Sequence, residues 1–190
     1  SGSGKDTVMT ELFKKMPELL FSISSITRAM RPGEREGEKY NFITRERFED
    51  MLKNDRLLEH NEFVGNYYGT PREPVERAVA NGQDMVIEVD VNCAAQIREK
   101  MPEAVSIFIM PPSFAELKRR LSGRGTESEE LIQKRLTSAL GEIKRAAEYD
   151  YIVVNEDIAA AADDIMSVIL SSRLKTDRQT KIIDEVLSEC

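Results

Sequence analysis

Three short apolar runs are the clearest structural signal in the chain. They are MVIEVD (85–90), AVSIFIM (104–110) and YIVVN (151–155), and the first and last of them end in a polar residue. Such runs are typical of buried parallel strands, whose carboxyl ends are where sheets of this kind meet a ligand. Because helical patterns separate the runs, the sequence predicts an α/β fold with a parallel central sheet.

Apolar residues at helical spacing predict the elements between these strands. The pattern over residues 8–13 indicates an amphipathic helix that begins at Lys5, and residues 132–143 carry the apolar face of another helix. From residue 158 to the end the spacing is again helical, without a recognisable site. Capping and turn residues predict further helix starts at Thr44, Pro71, Ser113 and Thr126.

A region rich in turns and aromatic residues lies between the first helix and the first apolar run. FSISSITR (21–28) predicts a strand, and the glycine, proline and arginine residues after it predict a loop that leads to a hairpin strand, KYNFI (39–43). After the helix at Thr44, LLEHNEFVGNYYGTP (57–71) returns to extended structure. Candidate polar side chains are therefore concentrated in this region.

Charge and cysteine content limit the classes of function. The formal net charge of −7 disfavours a nonspecific nucleic-acid or membrane surface. Cys93 and Cys190 lie far apart, without metal-ligand spacing or a disulfide framework, so a reducing cytoplasm is the simplest interpretation. No apolar run approaches the ~20 residues of a membrane helix.

The first seven residues, SGSGKDT, match the end of a phosphate-binding loop of the pattern G-x-x-x-x-G-K-[ST]. In such a loop, backbone N–H groups at a helix N-terminus surround a phosphate, and the lysine reaches the outer phosphates. Counting back from Gly4 places the first glycine before Ser1, so we expect the loop's first glycine and its preceding strand to be absent from this chain. The alternative is that a Gly/Ser-rich start is a remnant of expression.

Arginines near residue 124 are the second candidate for phosphate chemistry. Arg120 and Arg124 flank a glycine-rich stretch, and Arg135 follows on the next predicted helix. This pattern suits a mobile segment that closes over phosphates, whereas the alternative is a solvated loop whose arginines pair with nearby glutamates. His60 is the only histidine and no nucleophile motif accompanies it, so a histidine-based dyad is not favoured.

Four strings of residues together resemble the guanylate kinase family. They are S-x-S-S-x-T-R-x-x-R-x-G-E-x-x-G-x-x-Y from Ser22, L-x-E followed by G-N-Y-Y-G-T, R-L-x-G-R-G-T-E-S-E-E with K-R-L, and Y-D-Y-x-V-V-N. They occur in the family's order, and the similarity extends from Ser1 to about Leu174. The resemblance implies a P-loop three-layer fold with a core (1–24, 84–117 and 141–174), a mixed α+β GMP-binding insert (25–83), a helical lid (118–140) and a helical tail (175–190).

The activity implied by the resemblance is Mg²⁺-dependent transfer of the γ-phosphoryl group of ATP to GMP, which gives ADP and GDP in purine nucleotide metabolism. At the GMP site, arginines and tyrosines would hold the phosphate, Glu59 would accept from guanine N1–H and the exocyclic amine, and two hydroxyls would serve the O6/N7 edge. Asp90 would contact the nucleotide or its metal-bound water. The GMP-site residues implied are Ser24, Arg28, Arg31, Tyr40, Glu59, Tyr68, Thr70, Glu88 and Asp90.

At the ATP site the resemblance implies the loop, the arginines near residue 124, and Asn155 close to the adenine. The residues implied for catalysis are Lys5, Arg120, Arg124 and Arg135, and those implied for ATP binding are Ser1, Gly2, Ser3, Gly4, Lys5, Asp6, Thr7 and Asn155. Asp6 stands where most P-loops have Ser or Thr, and the hydroxyl is displaced to Thr7. Either Asp6 or Thr7 would be the Mg²⁺ ligand, and if Asp6 does not face the metal it would turn to solvent.

Two points stay open at the level of sequence. Asn92-Cys93 stands where the family usually has Gln-Gly, which leaves the turn after Asp90 undefined. The alternatives to a guanylate kinase are a phosphopeptide-binding module of the same fold and a kinase for another nucleoside monophosphate. Retention of Lys5 and the lid arginines favours the enzyme over the binding module.

Overall fold

The computed structural model describes residues 2–122 and 129–189, and within them it confirms the α/β class. The chain divides into two compact units, one of Ser1–Pro17 with Val105–Cys190 and the other of Glu18–Ala104. We call them the loop unit and the insert unit. No helix in the described ranges combines the length and apolar character needed to cross a membrane.

The elements follow one another as helices and short strands. In chain order they are α1 (Lys5–Lys15), β1 (Leu20–Phe21), β2 (Ser24–Ile26), β3 (Tyr40–Phe42), α2 (Arg45–Lys53), β4 (Leu57–Phe63), β5 (Asn66–Pro71), α3 (Arg72–Ala80), β6 (Met85–Val86), α4 (Val91–Lys100), β7 (Ile107–Met110), α5 (Phe114–Ser122), α6 (Glu129–Lys144), β8 (Tyr151–Val154), α7 (Ile158–Arg173) and α8 (Thr180–Ser188). Short 3₁₀ turns lie at Ala146–Glu148 and Thr176–Arg178.

The insert unit contains a four-stranded sheet with the order β3-β2-β5-β4. The predicted hairpin at KYNFI is wrong, because β3 runs parallel to β2, with Ser24 opposite Tyr40 and Ile26 opposite Phe42. A parallel partner requires a long connection, and the glycine-rich loop between the two strands supplies it. Ile26 of β2, Leu58 of β4 and Phe48 of α2 are fully buried.

The hairpin in this unit joins β4 to β5 through Val64 and Gly65. Both turn residues have positive φ, 50° at Val64 and 72° at Gly65. Two consecutive positive φ values match the twist of a two-residue hairpin, and Asn-Gly is the preferred pair there. The left-handed region is unfavourable for a β-branched residue, and because Val64 is 80% exposed, side-chain packing does not offset this cost.

We therefore expect Val64→Asn to raise the free energy of unfolding by ~1 kcal/mol, the scale of the left-handed penalty that asparagine relieves. Urea denaturation of the two proteins measures the difference. Val64→Ile keeps the branching and is expected to leave stability unchanged. Equal stability of the asparagine and isoleucine variants would contradict the explanation.

Parallel strands are confirmed, but only the second and third apolar runs pair with each other, and the first pairs with a strand outside the three runs. β1 pairs with β6 in the insert unit, and β7 pairs with β8 in the loop unit. The run 85–90 is a strand only over Met85–Val86, and Asp90 at its end caps a helix. The expected burial is also wrong for β8, where Val153 is buried but Ile152 is 49% exposed.

Helices pack in the loop unit around small apolar clusters. Val8 and Leu12 of α1 are fully buried, and Lys15 of α1 donates to Asp163 of α7 at 2.6 Å. A second cluster joins α5 to α6 through Leu117, Leu121, Leu136 and Ala139.

Of the two hydrogen bonds in the predicted capping box at Ser113, one forms. The Ser113 hydroxyl accepts from the Glu116 N–H at 3.1 Å, while the Glu116 carboxylate accepts from Arg119 and Arg120 instead of turning back to the cap. The second predicted box, at Thr126, lies outside the described residues.

Candidate functional site

The predicted phosphate loop adopts a conformation that only glycine accepts comfortably. Gly2 and Gly4 have φ of 78° and 79°, and α1 begins directly after Gly4. A Cβ at Gly4 would collide with Nδ2 of Asn155, and one at Gly2 would press on Leu117. The loop therefore leads directly into the N-terminus of α1, an arrangement suited to an anion.

Two side chains distant in sequence hold this loop. Asn155 follows β8, is 2% exposed, and donates from Nδ2 to the Ser3 carbonyl at 2.7 Å. Arg120 donates to the same carbonyl at 3.0 Å, to the Asn155 carbonyl at 2.9 Å and to Glu116 at 2.7 Å. Both residues thus bind loop backbone or its support, and their predicted contacts with ATP stay predictions.

The first turn of α1 carries the side chains predicted for phosphate and metal. Lys5 donates to Asp6 at 3.1 Å, and Asp6 is exposed, as expected if it faces solvent. Thr7 is exposed as well. Within the described residues no group of three acidic, histidine or cysteine side chains could hold a metal alone. A carboxylate and a hydroxyl beside a phosphate loop nevertheless fit Mg²⁺, which prefers oxygen donors, keeps waters and shares phosphate oxygens.

The remaining catalytic predictions divide between the described and undescribed parts of the chain. Arg135 lies half-buried on α6. Arg124 and Ser1 lie outside the described residues. Neither of these two predictions is tested by the geometry.

A cavity of about 280 Å³ lies within the insert unit. This volume is near the lower end of the range for small-molecule sites. Most of the residues predicted for GMP line it, and several others join them. The predicted residues in its wall are Ser24, Tyr40, Glu59, Tyr68, Glu88 and Asp90, and the additional ones are Asn61, Phe63, Gly69, Val89 and Cys93.

Glu59 is the most informative residue of this cavity. Only 3% of it is exposed, so it is not an ordinary surface acid. Its Oε1 accepts from the fully buried Thr70 hydroxyl at 2.6 Å across the β4–β5 pair. A carboxylate has about four lone-pair positions, so two neighbouring donors of a ligand can still be accepted. A buried carboxylate that still has unused acceptor positions is a strong candidate for ligand recognition.

Asp90 has a structural role that the sequence left open. It caps α4: one carboxylate oxygen accepts from the N–H groups of Asn92 and Cys93 at 2.8 and 2.9 Å. The other accepts from Asn61 at 3.0 Å. The turn after Asp90 is thus a helix start, which Asn92 and Cys93 both accommodate.

Asn61 and Cys93 were missed as wall residues. Asn61 lies two residues beyond Glu59 on the same strand, and since alternate strand residues share a face, this spacing could have identified it. Cys93 has no comparable signal in the sequence. Burial, then the neighbouring Glu59, raises the pKa of the Cys93 thiol, so the thiol is protonated beside that carboxylate.

Arg28 lies beside the cavity, next to its two tyrosines. Its guanidinium carbon is 5.4 Å from the centroid of the Tyr40 ring, and its side chain is 11% exposed. Hydrogen bonds with Glu34 raise the pKa of Arg28, and the Tyr68 phenol acts in the same direction. Burial, followed by Glu88, raises the pKa of Tyr40, which keeps its phenol a donor.

Arg31 is exposed, and its backbone N–H donates to Glu34 at 2.8 Å. Glu34 itself was not predicted as a site residue. Its place three residues after Arg31, at the end of R-x-x-R-x-G-E, is the signal that could have suggested a partner for the arginines.

Comparisons with known proteins agree on one family. A family model described as guanylate kinase matches residues 1–172. The guanylate kinase of Desulfitobacterium hafniense (strain Y51) is 44% identical over 186 residues, which cover 98% of this chain and 93% of that protein. The guanylate kinase of Escherichia coli (strain K12) is 46% identical over 191 residues, with 100% and 92% covered. The crystal structure of guanylate kinase from Anaplasma phagocytophilum superposes with a TM-score of 0.75 at 39% identity, covering 91% of this chain and 84% of that one.

Proposed function

Because this chain belongs to the guanylate kinase family and has guanylate kinase activity, we propose that its two residue clusters hold the two substrates, ATP and GMP. The glycine loop with α1 would hold ATP, and the cavity of the insert unit would hold GMP. The observation that carries this assignment is the buried Glu59 of the cavity wall, whose carboxylate accepts a hydrogen bond from Thr70.

Guanine fits the donors and acceptors of this wall. It presents N1–H and its exocyclic amine side by side, and the two oxygens of Glu59 can accept from both. Ser24 would supply a hydroxyl for the O6/N7 edge, whereas the one hydroxyl hydrogen of Thr70 is donated to Glu59 and fixes its rotamer. Glu88 and Asp90 line the same cavity, where they can contact the sugar of the nucleotide directly or through a water molecule.

The phosphate of GMP would lie against Arg28, Arg31 and the phenols of Tyr40 and Tyr68. Nε of Arg28 is buried and has no hydrogen-bond partner among the described residues. A buried donor left without a partner is costly, and a phosphate oxygen would satisfy it. This unsatisfied donor supports the assignment of the phosphate end.

The ATP phosphates would lie at the N-terminus of α1, where Lys5 contacts the outer ones. Arg120 and Asn155 hold the loop in shape through the Ser3 carbonyl. Arg135 and Arg124 are proposed to contact the transferring group. Asp6 or Thr7 would share Mg²⁺ with phosphate oxygens, and the ion neutralises charge on the phosphates when it is bound.

Chemically, a GMP phosphate oxygen attacks the γ-phosphorus of ATP, a new P–O bond forms, and the bond to the ADP oxygen breaks. This reaction needs positioned positive charge and no covalent nucleophile. The chain supplies arginines and a lysine for it. His60 is exposed and its backbone pairs with Gln96, and within the described ranges no contact of its ring indicates a catalytic role.

A coupled assay of ADP formation tests the proposal, with GMP, AMP, UMP and CMP each offered with ATP. We expect turnover with GMP and little with the other three. Equal turnover with AMP would show that the cavity does not read guanine, and no turnover with any would favour a binding module. The cytoplasmic location and the domain boundaries stay predictions.

A further inference from the structure

Glu34 makes the tightest polar contact around the proposed phosphate end. Its two carboxylate oxygens accept from Nη1 and Nη2 of Arg28, both at 2.6 Å. One of them also accepts from the Arg31 N–H at 2.8 Å. Two parallel hydrogen bonds fix the plane of a guanidinium, not only its distance. A single carboxylate thus links both arginines proposed for the phosphate.

The contact with Glu34 occupies the Nη1–Nη2 edge of the Arg28 guanidinium and does not use the Nε–Nη2 edge. Nη1 donates to the Ala29 carbonyl at 3.0 Å as well as to Glu34, so that end is occupied by protein. Nε lies on the opposite side, where it shares an edge with Nη2, and it is buried without a partner among the described residues. The Tyr40 and Phe42 rings lie 5.4 and 5.5 Å from the guanidinium carbon and restrict its rotation.

We propose that Glu34 is a positioning residue that fixes Arg28 so that its Nε–Nη2 edge is presented to the phosphate of GMP. The inference rests on the proposed function, because it assumes that GMP occupies this cavity. Glu34 is itself held in place: its N–H donates to the Arg31 carbonyl at 3.1 Å and its carboxylate accepts back from the Arg31 N–H. Such a reciprocal contact keeps the carboxylate with the loop when the substrate binds.

A different role would be competition, in which Glu34 occupies the arginine until a phosphate displaces it. The two roles predict opposite effects. Removing the charge of a competitor would tighten GMP binding, whereas removing a positioning group would weaken it. The unsatisfied Nε favours positioning, because this atom can donate to a phosphate oxygen while the Arg28–Glu34 pair stays intact.

The test compares Glu34→Gln with a control, Glu38→Gln, at an exposed glutamate of the same loop that pairs with Arg35 at 3.4 Å. We expect Glu34→Gln to raise the KM for GMP ~10-fold or more, the scale of one lost hydrogen bond to a charged group. The KM for ATP should stay unchanged. The inhibition constant of guanosine, which has the base but no phosphate, should also stay unchanged.

Guanosine separates positioning from a general structural role. If Glu34→Gln weakened guanosine and GMP equally, the residue would support the whole cavity and the inference would be wrong. Tighter GMP binding would establish competition and overturn it too. In an Arg28→Lys background the side chain cannot form the two parallel hydrogen bonds, so Glu34→Gln should have no further effect on the KM for GMP. Additive effects would show that Glu34 does not act through Arg28.

Failure of this inference is distinguishable from failure of the proposed function. If the wild-type protein phosphorylates GMP selectively and Glu34→Gln leaves its KM unchanged, only the positioning role is refuted. If the wild-type protein does not prefer GMP, the cavity assignment fails first. Glu34→Asp, which keeps the charge but shortens the reach, should give a smaller increase in KM than glutamine.

Discussion

Replacing Lys5 by alanine is expected to reduce kcat by ~10³-fold or more, the scale measured for cationic groups that contact a transferring phosphoryl. Lys5 opens α1 directly after Gly4, where its ammonium can follow the charge that develops on the outer phosphates of ATP. Its contact with Asp6 is exposed, so its loss should barely change stability. GMP affinity, measured by calorimetry, should change little, because the proposed GMP residues belong to the insert unit.

Lys14→Ala is the matched control for this substitution. Lys14 lies on the same helix, is 67% exposed and pairs with Glu11, so its loss should leave kcat unchanged. If the Lys5 variant lost GMP affinity together with turnover, the assignment of two separate sites would be wrong. If both lysine variants kept full activity, the loop would not be the ATP site.

Base selectivity is the second large effect, and we expect kcat/KM for GMP to exceed that for AMP by ~10⁴-fold. Adenine presents a lone pair at N1, so the buried Glu59 carboxylate would face it without a donor. Glu59→Gln replaces one acceptor by a donor, which opposes guanine N1–H and suits adenine N1. We therefore expect kcat/KM for GMP to fall ~10²-fold, and the ratio between the two bases to narrow.

The glutamine variant is a fair test because its amide oxygen can still accept from Thr70, so the cavity wall keeps its hydrogen bond. Glu62→Gln, an exposed position on the same strand, is the control and should keep the selectivity of the wild-type protein. Unchanged discrimination in the Glu59 variant would remove Glu59 from guanine recognition.

Periodicity predicted the helices well but not the strand partners. The helix at Lys5 and the caps at Thr44 and Ser113 follow from local sequence, since a cap is a contact between near neighbours. The parallel pairing of β3 with β2 does not follow from local sequence, because the residue pattern of a short strand does not indicate whether its neighbour is parallel or antiparallel. Exposure of Ile152 also depends on which elements pack nearby, information that a strand pattern lacks.

The candidate site was predictable where motifs are local. Glu59 and Tyr68 were identified from their strings, and the structure brings both to one cavity. The hydrogen bond between Asn155 and Ser3 joins residues 152 positions apart in the sequence, and no spacing indicates it. Glu34 was overlooked because an acid in a charged loop resembles solvated surface until its partner is seen.

A crystal structure of the GMP complex tests the central claim most directly. The account predicts guanine N1–H and the exocyclic amine within hydrogen-bond distance of Glu59, and a phosphate oxygen at Nε of Arg28, with the Arg28–Glu34 pair intact. The cavity lies within the insert unit, so the test does not depend on ATP. Guanine bound away from Glu59, or a phosphate that does not contact Arg28, would contradict the account.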